Sequence, residues 1–172
     1  MTDTTISSAA SVDTETTRFF LQPTRREFVR VCILGAAIGL LIPLIGFLLE
    51  KFFIEPVFCH TTNSFGVCAT GGLVAYYISA TLLGVAAIVL LANWQVFRPL
   101  LIVFATAAAL WGLQKYLPNM TVNGSVEYYS FSMIFYALAY LIFYLLLRIR
   151  SFGISIVLTI AVVAAIRWVL IS

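Results

Sequence analysis

A chain of 172 residues that is 62% hydrophobic and only 10% charged, with a mean hydropathy of +1.06, carries more apolar surface than a soluble domain of this size could bury. Its net charge of +3 gives no support to nucleic-acid binding, and the apolar runs leave no length for a separate soluble catalytic domain. An integral membrane protein remains, with the lipid bilayer as its principal partner.

Residues 1–24 are rich in Ser and Thr and poor in large apolar groups until Phe19, so they are expected to form a disordered cytoplasmic tail. Residues 25–172 read as one transmembrane domain. Five apolar runs, at about 28–49, 71–94, 97–117, 128–147 and 152–171, each approach the roughly 20 residues that an α-helix needs to cross a hydrocarbon core of about 30 Å. Since only helices and closed barrels satisfy their backbone groups in lipid, the fold class is all-α. Short connections make neighbouring helices antiparallel, giving a compact five-helix bundle. Seven basic residues (Arg18, Arg25, Arg26, Arg30, Arg98, Arg148, Arg150) fall on the N-terminal side and three (Lys51, Lys115, Arg167) on the other. By the positive-inside rule the N-terminus is cytoplasmic and the C-terminus outside, most simply in the plasma membrane.

At the start of the first run, Thr24-Arg25-Arg26-Glu27-Phe28-Val29-Arg30 resembles a twin-arginine export signal. The apolar run behind it is long enough to span, no small-residue cleavage site follows and four more runs come after, so these arginines are read as an anchor for the first helix. Within that helix Gly35 and Gly39 form a GxxxG pair, with Pro43 and Gly46 continuing near the same face. Ala80 and Gly84 in the second run, Ala105, Ala109 and Gly112 in the third, and Ala161, Ala164 and Ala165 in the fifth extend this pattern of small residues. These stripes are expected to serve helix packing within the bundle, with self-association as the other use.

The outer loop, about 50–70, holds Cys59, His60 and Cys68. In an oxidising compartment Cys59 and Cys68 are expected to pair as a disulfide, which over a loop of about ten residues would contribute about 2.5–3 kcal/mol. A thiol oxidoreductase would need a closely spaced pair such as Cys-x-x-Cys, which is missing, and Cys32 sits toward the opposite face. Adjacent Cys and His fit poorly around one ion, so neither a metal nor any other cofactor is expected. After the second run, Leu90-Leu91-Ala92-Asn93-Trp94-Gln95-Val96-Phe97-Arg98 resembles, over fewer than ten residues, the segment closing a span in the GtrA-like small membrane proteins. That resemblance implies a lipid-linked substrate, although those proteins have four spans and lack the cysteine loop.

The fourth run carries Ser132, Tyr136, Tyr140 and Tyr144 at intervals of four, which sets four hydroxyls on one helical face. Buried phenols find partners, so this stripe is read as structural and also as the best candidate for a ligand-facing surface. No ionisable group falls near mid-span, as an ion-coupled transporter would require, and no catalytic constellation appears. The expected function is therefore that of a non-enzymatic accessory or assembly subunit of a larger membrane complex. A small transporter or lipid-handling protein is the alternative, with a membrane thiol oxidoreductase behind it.

Overall fold

The computed structural model describes residues 25–54, 56, 65–113, 125–149 and 151–171. Every regular element among them is helical: α1 (Arg25–Leu49, running on into a π-helical segment, Glu50–Ile54), α2 (Phe65–Asn93), α3 (Pro99–Leu110), α4 (Ser125–Leu146) and α5 (Phe152–Ile171). Four of these, α1 with its extension, α2, α4 and α5, are long and apolar enough to cross a membrane. The third expected span, 97–117, differs. Its helix α3 has 12 residues, which is about 18 Å at the usual rise and less than a full crossing. The apolar run continues past Leu110, but the backbone turns at Trp111 (ψ 119°) and Gly112 adopts φ +85°, which a residue with a Cβ rarely does.

The helices alternate in direction. Glu27 at the start of α1 pairs with Arg148 beyond the end of α4, Arg30 lies over the Trp94 ring just beyond α2, and Arg98 before α3 lies over Phe152 at the start of α5. One end of the bundle thus gathers Arg25, Arg26, Arg30, Arg98 and Arg148, five of the seven arginines that the orientation argument grouped together; Arg18 and Arg150 lie outside the described residues. At the opposite end Tyr77 of α2 stacks on Trp111, with ring centroids 4.8 Å apart, and Arg167 of α5 donates to the Trp111 carbonyl.

Helix α4 is the centre of the assembly, with Ser132, Tyr136, Ala139, Tyr140, Phe143, Tyr144 and Leu147 all buried along it. Its main partner is α1, and the contact is that of a glycine face on a tyrosine face. A Cβ added to Gly35 would lie 2.9 Å from Tyr140 Cβ, and one added to Gly39 would lie 2.6 Å from the Ser132 carbonyl oxygen. Lipid offers little hydrophobic drive for helices to associate, so this close approach, with its dispersion contacts, does much of the holding. Helix α2 packs on α1, and α3 touches α2, α4 and α5. The turn into α3 is closed by Val96 N–H donating to Leu91 O (3.0 Å) and Gln95 N–H to Ala92 O (2.9 Å), around Gln95 at φ 55°. This is the bond pair that ends a helix over a left-handed residue, a place more often filled by glycine.

Two expectations need correction here, and the disulfide falls outside the described residues. The connection read as a loop over 50–70 is helical at both margins, through Ile54 and from Phe65, so Cys68 belongs to α2. No disulfide occurs among the described residues; Cys59 and His60 lie outside them, as does the Cys68 side chain, and Cys32 is a free, half-buried thiol on α1. Small residues do not all face inward: Ala105 and Ala109 are buried, whereas Ala161, Ala164 and Ala165 of the peripheral α5 face outward. The tail 1–24 and the end of the third apolar run, 114–117, also lie outside the described residues.

Candidate functional site

The tyrosine stripe of α4 does not act as one unit; its members divide among three tasks. At one end Ser132, fully buried, donates to the Gly39 carbonyl of α1 at 2.6 Å. That carbonyl needs an outside donor, because Pro43 four residues on has no N–H to give it. Ser79 of α2, whose hydroxyl lies 2.9 Å from Tyr76 O of its own helix, also reaches the Ile42 carbonyl of α1 at 3.1 Å. Serines from two helices thus contact the backbone of α1 on either side of its proline turn, and Ser132 serves the carbonyl that the proline leaves without a helical donor.

At the other end Tyr144 donates to Glu27 Oε2 at 2.9 Å and Arg148 donates to the same oxygen at 2.8 Å, while Arg148 also contacts the Tyr144 hydroxyl. Glu27 and Arg148 are the acid and base of an ion pair that ties the first turn of α1 to the end of α4. Sequence reasoning took Glu27 only as a member of the arginine motif. Among the described residues it is the one acid beside five arginines at that end, a contrast that could have marked it as a partner.

Between these ends, Tyr136 and Tyr140 face a cleft of about 740 Å³, part of it open to the surroundings. Its buried floor comes from Ile38 and Ile42 of α1, Tyr136 and Tyr140 of α4, and Thr106 and Leu110 of α3. Its rim is made by residues that remain exposed, Tyr77 and Thr81 on α2 and Ala107 and Trp111 on α3, so the cleft opens sideways between α2 and α3. Ala80 and Gly84 line the α2 wall, where the absence of bulk keeps the cleft open: a Cβ on Gly84 would meet only Val103, at 3.7 Å. Gly112 lines the rim. From Gly84 to Leu73 the α2 wall runs eleven residues, about 16 Å at helical rise.

All the side chains lining the cleft are uncharged. Its hydroxyls differ in what they have left to offer. Thr106 donates to Ile102 O and Thr81 to Tyr77 O, each at 2.8 Å, so their protons are committed to their own helices. Tyr140 is 2% exposed and makes no hydrogen bond among the described residues. Thr106, Thr81 and Trp111 were not singled out from sequence as site residues, since no local pattern joins positions from four helices. Among the described residues there is no group of three His, Cys, Asp or Glu side chains placed to hold a metal ion. Compared with known families, with curated proteins and with solved structures, the chain shows no match.

Proposed function

We propose that this chain is a membrane protein without chemistry of its own that holds one lipid-like molecule in the cleft between α1, α2, α3 and α4. The observation that carries this reading is the opening of the cleft between α2 and α3, two helices whose outward residues are apolar, which suits entry of a molecule from the bilayer. An apolar wall with a few hydroxyls suits an amphipathic guest, and nothing in the lining offers a nucleophile paired with a base. The N-terminus lies in the cytoplasm in this reading, because the five arginines gathered at one end of the bundle favour retention there. The five-span arrangement of a plasma-membrane protein completes this reading.

A second reading, the accessory subunit of a larger membrane complex, is favoured by α5. That helix is almost wholly exposed and turns Ala161, Ala164 and Ala165 outward, where another helix could approach closely. Purification in mild detergent separates the two. A lipid-like molecule bound one to one and lost in Gly84→Leu supports the cleft, whereas a stoichiometric protein partner lost when Ala161 and Ala165 are changed to Leu supports the subunit.

A further inference from the structure

We propose that Tyr140 is the recognition donor of the cleft, giving its phenolic proton to a neutral carbonyl oxygen (ketone, ester or quinone type) on the lipid-like guest. This rests on the reading of the cleft as a lipid site and adds the chemical class of what it selects.

Three observations lead to it. First, Tyr140 is at least nine-tenths buried, lines the cleft and has no hydrogen-bond partner among the described residues. Buried phenols ordinarily find one, because an unmade bond in a low-dielectric site forfeits the solvation of the hydroxyl. Second, the threonines that line the cleft with it cannot replace it as donors. Thr106 and Thr81 spend their protons on Ile102 O and Tyr77 O, so of these three hydroxyls Tyr140 alone keeps an uncommitted proton. Third, the lining is uncharged throughout, so a phosphate or carboxylate drawn into the cleft would lose its hydration without a counter-charge. A neutral acceptor escapes that cost.

The direction of the side chain fits as well. Side chains on a helix lean toward its N-terminus, and the N-terminus of α4 lies at the Trp111 end of the bundle. Gly35 of α1 packs against the Tyr140 Cβ, which fixes the base of the residue, and its side chain lines the cleft. A guest entering over the exposed rim therefore meets Tyr140 at the buried floor of the cleft.

The test uses the full chain in nanodiscs of phosphatidylcholine and phosphatidylglycerol, with an octyl ether of 4-hydroxybenzophenone as probe. The ketone of this probe is both hydrogen-bond acceptor and photoreactive group, so illumination marks where it sits. Labelled peptides should map to the lining of the cleft, from the floor around Tyr140 to the rim near Tyr77, Thr81 and Trp111. 2-Tridecanone should compete about five- to tenfold better than tridecane, the factor expected of one hydrogen bond. In Tyr140→Phe that preference should vanish while labelling of the lining persists, and the variant should fold at least as stably because it loses only an unpartnered hydroxyl. Equal competition by ketone and alkane, or an unchanged preference in Tyr140→Phe, would overturn the assignment of Tyr140 and leave the cleft as a seat for an acyl chain only. Labelling that avoids the lining and ignores Gly84→Leu would overturn the lipid site itself, and the Tyr140 assignment with it.

Discussion

Ser132 on α4 supplies a hydrogen bond to the Gly39 carbonyl on α1, the group that Pro43 deprives of its own helical donor. The bond thus belongs to a set of three residues, one of which never touches Ser132. Ser132→Ala should lower stability by about 0.6–1.7 kcal/mol, the range of interhelical hydrogen bonds in lipid. Pro43→Ala restores the N–H, so the double variant Ser132→Ala/Pro43→Ala should lose less than the sum of the two. Unfolding in mixed detergent micelles, arranged as a double-mutant cycle, measures this; strict additivity would break the link between proline and serine.

Gly39→Ala should cost about 1–3 kcal/mol, because its new methyl group would press on the backbone of α4, which cannot move aside as a side-chain end could. Gly153→Ala, with nothing within 4 Å of the added carbon, is the matched control and should leave the melting temperature unchanged. Equal behaviour of the two variants would show that the glycine face of α1 is not the contact surface.

The ion pair of Glu27 and Arg148 is only partly shielded, with side-chain exposures of 31% and 13%. Glu27→Gln should therefore destabilise by about 1–2 kcal/mol, below the roughly 3–5 kcal/mol found when one member of a fully buried pair is removed. Adding Arg148→Gln should recover part of the loss, since the stranded cation is then gone. Thermal unfolding of the three variants in one detergent decides the matter, and a double variant worse than Glu27→Gln alone would count against the pairing.

Cysteine introduced at Ser7 and at Ser172, in a Cys32→Ser, Cys59→Ser, Cys68→Ser background, should be labelled from opposite sides of the membrane. Labelling from one side would remove a crossing and return α3 to the status of a half-span. In the native background, alkylation before and after reduction should reveal two new thiols if Cys59 and Cys68 are joined; three free thiols in the unreduced protein would set that loop in a reducing compartment.

Much of the fold was legible in the sequence because lipid imposes one strong rule, and runs of about twenty apolar residues announce it. The glycine pair at 35 and 39 and the hydroxyl stripe from Ser132 were each visible on their own helices. Their meeting was not, since periodicity tells which face is special and says nothing about which helix will cover it. Hydropathy misjudged α3 for a related reason. Trp111 and Leu113 prolong the apolar run, but the turn at Gly112 is a matter of backbone angle that a hydropathy window does not register. The cleft was hidden most completely, because it is a gap left between four helices whose lining residues share no local pattern.

The proline gap in α1 also sets an order of events during synthesis. Ser132 lies 93 residues beyond the carbonyl that it serves, a stretch that takes a ribosome on the order of 5–20 seconds to make. For that interval a newly inserted α1 sits in the membrane with an open backbone acceptor and a glycine face that no partner covers. Ser79 arrives sooner and bonds the neighbouring carbonyl of Ile42, so α2 acts as a first brace. The nascent helix pair stays an unfinished client of the insertion machinery until α4 emerges.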